Sequence, residues 1–147
     1  MEMQQIIDSV RGFEGALVVQ PDAGSQFPRI AWGDAFFYFA PDGIMPERTQ
    51  PYGTIITKNY PDDEQSKLSE PGRFRVNVQV GRERMPRLVQ SDDPAEPDVF
   101  VAHPLYWAAG WVSVVNPGAR TSDSVIALLL AAHEAARTRA VRRQKLR

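Results

Sequence analysis

The sequence contains no cysteine. Disulfides, thiolate metal sites and thiol nucleophiles are therefore excluded, and the absence fits a reducing, cytoplasmic setting. No apolar run approaches the roughly 20 residues that a membrane-spanning helix requires, so no membrane partner is expected. Histidine is scarce: His103 and His133 are the two present. They could join a carboxylate around a metal, but no H-E-x-x-H or comparable spacing supports that, and neither metal nor cofactor is expected. Gly81, Gly110 and Gly118 build no phosphate loop, because neither G-x-x-x-x-G-K-[ST] nor G-x-G-x-x-G occurs. Internal repeats are also missing. The stretch Met1 to Phe13 is amphipathic and carries Glu2 and Asp8, unlike a secretory signal, which starts basic and runs into an unbroken apolar segment.

What is present suits one domain of ordinary size. The 147 residues are enough to bury a hydrophobic core without covalent staples, and the expected organisation is a single α+β domain over residues 1–147 with a basic helical tail from about residue 137. The net charge of −1 is unevenly spread. Arg137, Arg139, Arg142, Arg143, Lys145 and Arg147 fall in the last eleven residues without an acid among them; removing those six positive charges leaves the remainder at −7. Such asymmetry marks a nucleic-acid or membrane contact or complements a helix C-terminus.

Hydrophobic periodicity orders the chain into elements. Met3, Ile6, Ile7 and Val10 recur at helical spacing, giving a short amphipathic helix over 3–12. Ala16–Val19 reads as a central strand. Arg29–Trp32 and Phe36–Phe39 flank Gly33-Asp34, which suits a type II′ hairpin. Thr54–Thr57 is a β-branched strand, and 59–72 is a polar loop. Phe74, Val76, Val78 and Val80 alternate with Arg73, Arg75, Asn77 and Gln79, so one face of this strand should pack while the other is wet. Residues 81–90 suit a short helix that Pro86 begins or breaks. A short extended piece follows at 99–102, then a helical turn opened by Pro104, a strand at 110–115, and a final helix from about Ser122 to Arg143. Thr121 or Ser122 can cap that helix. Its apolar stripe of Val125, Leu129, Ala132 and Ala136 turns basic at Arg139 and Arg143, so its end should overhang. The expected fold is α+β, an antiparallel sheet of about five or six strands packed on one face by the first and last helices. Trp111 is expected to pack against the final helix near Leu129.

Three segments carry a resemblance: Ile30-Ala31-Trp32-Gly33-Asp34 with Phe36-Phe37-Tyr38; Arg73-Phe74-Arg75-Val76-Asn77; and His103-Pro104-Leu105-Tyr106 running to Gly110-Trp111-Val112. Over nearly its whole length the chain resembles a bacterial family of unknown function common in actinobacteria. More distantly, the His-Pro to Gly-Trp-Val stretch and the long helix after it resemble the MmcQ/YjbR-like group. That resemblance implies a compact α+β fold similar to the frataxin-like CyaY arrangement, and a proposed role in DNA binding. Shared Trp and Gly speak to architecture more than to function.

The candidate ligand-binding residues are His103, Arg73, Arg75, Asn77, Lys58 and Asp34. His103 has a side chain that titrates near neutrality, or it caps the turn that Pro104 fixes. Arg73, Arg75, Asn77 and Gln79 project from one strand face, where they grip a phosphate or carboxylate or simply form a wet sheet face; Tyr52 and Lys58 are expected nearby. Asp34 either faces a pocket or serves the hairpin turn. Asp62-Asp63-Glu64 lacks the ligand spacing of a calcium loop and reads as a solvated acidic loop. His133 reads as a packing residue. Trp32, Trp107 and Trp111 read as core or rim aromatics, with base stacking as the alternative. Arg139, Arg142, Arg143 and Lys145 are the candidate nucleic-acid contacts.

Three function classes follow. One is a non-catalytic binding module for nucleic acid, against which stands a sequence pI near 6.1. The second is a small-molecule binder or small enzyme with a pocket around His103, Arg75 and Asp34. The third is a homo-oligomeric scaffold, a homodimer for instance, using the C-terminal helix. Position separates the first two: a carboxylate meeting His103 and Arg75 in one pocket favours the second, and a surface shared by Arg75 and the basic tail favours the first.

Overall fold

Short β-branched and aromatic segments pair into one sheet because none can bury its apolar face alone. The computed structural model describes residues 1–146; Arg147, the last charge of the basic tail, lies outside the described residues. The strands are β1 (Ala16–Val19), β2 (Ala35–Phe39), β3 (Gly53–Ile56), β4 (Arg75–Gln79), β5 (Val101–Ala102) and β6 (Trp111–Val115), and the helices are α1 (Met3–Arg11), α2 (Met85–Leu88) and α3 (Ser122–Lys145). The sheet order is β1-β2-β3-β4-β6-β5, with each of these neighbours antiparallel. The fold is α+β, as the periodicity implies.

Strand alternation sends two sets of side chains to opposite faces. Phe37, Ile55, Val76, Val78, Val112 and Val114 form the main core with Ile6, Ile7 and Val10 of α1 and Val125, Leu128, Leu129 and Ala132 of α3. Both helices therefore cover one face. Gly53 allows α3 to seat closely: a Cβ there would stand 2.8 Å from Leu129 Cδ2. His133, fully buried on α3, lies between Tyr52 Oη (2.9 Å from Nδ1) and the Glu14 carbonyl (2.7 Å from Nε2). With Nε2–H donating to that carbonyl, Nδ1 accepts from the Tyr52 hydroxyl, so every polar group of this core trio is satisfied.

Four expectations need correction. β1 is an edge strand, not a central one. Arg29–Ala31 is a 3-10 turn, not the first arm of a hairpin, and β2 pairs with β1 and β3 instead. Pro28 leads into that turn, and Gly33, at φ 89°, redirects the chain into β2. The polar face of β4 is not wet: Arg75 and Asn77 are as buried as Val76 and Val78. Finally, Trp111 shares a face with Ser113 and Val115, opposite Val112 and Val114, so it lies across the sheet from α3 and Leu129. The end of α3 agrees with the stripe: Arg139, Arg142, Arg143 and Lys145 are exposed, and packing fades after Ala136.

The start of α3 is held by a residue the sequence does not single out. Asp98, at φ 57°, accepts hydrogen bonds from Gly118 N (2.7 Å), Arg120 N (3.0 Å), Thr121 N (3.0 Å) and Thr121 Oγ1 (2.6 Å). Thr121 occupies the N-cap, but its hydroxyl serves Asp98 instead of the helix. The carboxylate thus gathers donors at the positive end of α3. Burial pushes its pKa up, but the hydrogen bonds from Thr121 and the backbone outweigh this and hold it below the usual range.

A polar floor under an aromatic pocket

The register of the central strands aligns polar side chains across the face that the helices leave free. Thr54 of β3, Asn77 of β4 and Ser113 of β6 lie opposite one another, as do Ile56, Arg75 and Val115 in the next row. Two irregular segments cover this face. The 57–74 loop is pinned by Leu68, which is buried with Ile56 and Val115, with half-buried Tyr60 packed against them. The turn after β5 brings His103 and Tyr106 in from the other side.

Arg75 is 1% exposed and lies at the centre. Its Nε donates to Asn77 Oδ1 (2.8 Å), and its Nη1 donates to Asp63 Oδ1 (2.9 Å) and Ser66 Oγ (2.9 Å). Its Nη2 donates to Asp63 Oδ2 at 2.5 Å. The pair is bidentate, the geometry in which a guanidinium and a carboxylate match best. Asn77 Oδ1 also accepts from Ser113 Oγ (2.7 Å), and its Nδ2 donates to Thr54 Oγ1 (2.9 Å). Burial raises the Asp63 pKa, but the hydrogen bonds and charge of Arg75 outweigh it, so the carboxyl is held below its ordinary range.

His103 completes the floor. Its Nδ1 accepts from the backbone N–H groups of Leu105 (3.0 Å) and Tyr106 (3.1 Å), which is the turn-capping geometry that Pro104 favours. Its Nε2 lies 3.4 Å from Arg75 Nη2. Burial, reinforced by the Arg75 charge and opposed by Asp63, pulls its pKa down to about 4. The ring is therefore neutral at ordinary pH. The Tyr106 ring lies over it at 4.8 Å, and Trp111 meets it edge-on at 6.4 Å.

Above this floor opens a cavity of about 460 Å³, which falls in the size range of small-molecule sites. Phe36, Pro51, Ile56, Leu105, Tyr106 and Trp111 line it together with the floor residues Arg75, Asn77, His103 and Asp63, and Asp62 is also in the lining. Among the described residues no cluster of three His, Asp or Glu side chains is grouped to hold a metal ion.

Of the six candidate residues, the fold brings Arg75, Asn77 and His103 together and leaves three outside. Asp34 is buried at a separate centre, where it accepts from Thr57 N (2.8 Å), Thr57 Oγ1 (2.6 Å), Lys58 Nζ (2.9 Å) and Tyr60 Oη (2.6 Å). Lys58 is thereby committed to Asp34 and not to Arg75. Tyr60 links the two centres, since its ring lines the pocket while its hydroxyl serves Asp34. Arg73 clasps two loops through the Ser66 and Ala95 carbonyls (2.9 and 2.6 Å). Tyr52 faces α3, with His133, and not the pocket. The carboxylate that meets Arg75 is Asp63, so the reading of 62–64 as wholly solvated is corrected: Asp62 and Glu64 are exposed, but Asp63 is buried. A buried arginine on a central strand demands such a partner, and its presence in the acidic loop is the signal that could have named Asp63.

The chain belongs to a family of unknown function, DUF6194, whose model matches residues 1–145. No curated protein and no solved structure matches it. No helix among the described residues is long and apolar enough to cross a membrane.

Proposed function

We propose that this member of a family of unknown function binds a small organic molecule in the pocket above Arg75, Asn77 and His103. One observation carries the reading: a charged, bidentate Arg75–Asp63 pair forms part of the floor of an aromatic-walled cavity of about 460 Å³. Apolar walls with a few convergent polar groups are the usual make-up of a small-molecule site. A buried ion pair is a weak way to stabilise a fold, because desolvation offsets its Coulomb attraction; a role in recognition gives it a reason. Binding without catalysis fits the groups present. His103 is neutral with Nδ1 occupied by backbone donors, and the Ser113 and Ser66 hydroxyls are engaged with Asn77 and Arg75, so neither serine is paired with a general base.

The test is a screen of uncharged aromatic fragments by protein-observed NMR, with Ala109→Trp as a variant that fills the rim. Hits should move the Trp111 indole and Tyr106 signals, and Ala109→Trp should abolish them. Hits that scatter over the surface, or that survive the filled rim, would remove the pocket from consideration.

A second reading keeps nucleic acid as the partner, the role that the resemblance to the MmcQ/YjbR-like group suggests. Its support is the exposed row Arg139, Arg142, Arg143 and Lys145, which has no carboxylate partner among the described residues. That row belongs to the helix covering the opposite face of the sheet from Arg75. The two basic features therefore do not support one continuous binding surface. A homo-oligomeric scaffold using α3 has no specific observation in its favour.

A further inference from the structure

The polar floor of the pocket contains a hydrogen-bond mismatch, and the mismatch points to the chemistry of the ligand. Arg75 has five N–H donors. Four are taken by Asn77, Ser66 and the two oxygens of Asp63, and the fifth, on Nη2, is aimed at His103 Nε2 across 3.4 Å. A neutral imidazole has one accepting nitrogen. At His103 that nitrogen is Nδ1, because two backbone N–H groups converge on it at 3.0 and 3.1 Å. The proton therefore sits on Nε2. Two donors, Arg75 Nη2–H and His103 Nε2–H, then face each other across 3.4 Å, with no acceptor between them among the described residues. The other tautomer would serve Arg75 but would strand the N–H groups of Leu105 and Tyr106, which start a turn that Nδ1 holds. The first arrangement leaves its unserved donors on two residues that line the pocket.

We propose that the pocket recognises an uncharged carbonyl compound, an aromatic ketone or amide, whose oxygen accepts from both Arg75 Nη2–H and His103 Nε2–H. This rests on the reading of the pocket as a small-molecule site and adds the ligand class. The oxygen is that of a neutral group and not of an anion. The Arg75 charge is already matched by Asp63, and Asp62 lines the same cavity. Among the described residues that line the cavity, a carboxylate or phosphate would meet two acids and no cation other than Arg75. The walls supply the rest of the fit: Phe36, Ile56, Leu105 and Trp111 suit a flat apolar body.

Acetophenone, benzoate and ethylbenzene form a matched set of probes: the same ring with a neutral acceptor, an anionic acceptor and none. Protein-observed NMR titration of each against the wild-type chain and His103→Asn isolates the hydrogen bond. Asn keeps an oxygen that can cap the Leu105–Tyr106 turn but removes the Nε2–H donor. Acetophenone should bind more tightly than benzoate and lose about tenfold in affinity in His103→Asn, as one or two lost hydrogen bonds imply, while ethylbenzene binding should stay unchanged. Side-chain ¹⁵N NMR should find the His103 proton on Nε2, and acetophenone should shift that proton downfield. A proton on Nδ1, tighter binding of benzoate, or an equal loss of ethylbenzene and acetophenone would overturn the carbonyl assignment and leave the pocket as a site of other chemistry. If none of the three probes moves a pocket signal, both the assignment and the small-molecule reading fail.

Discussion

Truncating Asp63 to alanine tests whether the ion pair belongs to the fold or to the site. Arg75 is 1% exposed and would remain charged after Asp63 is gone. Two of its four hydrogen bonds within the site, at 2.9 and 2.5 Å, end on Asp63; Ser66 Oγ and Asn77 Oδ1 would hold the others. A hydrogen bond to a charged group contributes about 1.5–3 kcal/mol, so losing two gives about 3–6 kcal/mol. Breaking a buried pair by removing one partner costs about 3–5 kcal/mol by direct comparison, which agrees. Asp63→Ala should therefore unfold at much lower urea than the wild type. Replacing both partners with apolar residues, Asp63→Leu with Arg75→Met, should recover most or all of that loss, because no buried charge is left uncompensated. The same double variant should lose fragment binding. Urea denaturation of the two single variants and the double variant gives the coupling between them. If Asp63→Ala falls within about 1 kcal/mol of the wild type, the guanidinium does not depend on Asp63 and the reasoning fails. If the double variant is as unstable as the single one, the pair stabilises the fold itself and its retention needs no ligand.

Two further outcomes are expected. The Asp98 carboxyl has a depressed pKa in the folded protein, so its contribution is present above the unfolded value of about 3.9 and is lost as pH falls below it; Asp98→Asn should lower stability at neutral pH and flatten the acid limb of a stability–pH curve, and an unchanged acid limb would count against the latch on α3. Deleting residues 141–147 removes an exposed end that carries Arg142, Arg143 and Lys145, so thermal stability should stay within about 1 kcal/mol and fragment binding should persist, while any retention on heparin should weaken; a large loss of stability would mean that this end of α3 is packed against a partner.

The parts of the fold that repeat a period are legible in the sequence. α1 and α3 follow from Ile6, Ile7 and Val10 and from Val125, Leu129 and Ala132, and β4 follows from Val76 and Val78. The 29–34 segment departs from the expected hairpin because Gly33-Asp34 has the composition of a hairpin link, while Pro28 favours a single 3-10 turn just ahead of it. Composition cannot separate these, since both use Gly with positive φ. Trp111 departs from expectation for a different reason. A large aromatic suits either face of a sheet, and only the parity with Val112 and Val114 assigns it to the side away from α3.

The site was legible as an alternation and illegible as a place. Arg75 and Asn77 alternate with valines, a pattern that a wet sheet face and a covered polar floor produce equally well. What decides between them is cover, and the cover comes from segments with no period of their own: the 57–74 loop and the turn at His103. Register carries the missing information. Thr54, Asn77 and Ser113 become neighbours only when β3, β4 and β6 pair in one particular alignment, and that alignment buries an arginine. From there the physics is restrictive. A buried guanidinium must find an anion within reach, and the reachable acids lie in the loop that Leu68 anchors over the same face. Asp63 is thus selected by the burial of Arg75 and not by any motif, and the same step displaces Asp34. Asp34 lies close enough in sequence to β2 to be a plausible partner, but Thr57, Lys58 and Tyr60 already fill its oxygens. With Asp34 and Asp63 saturated, Arg75 Nη2–H and His103 Nε2–H are donors left to the cavity, and the carbonyl ligand proposed above is matched to them and not to the Arg75 charge, which Asp63 already balances.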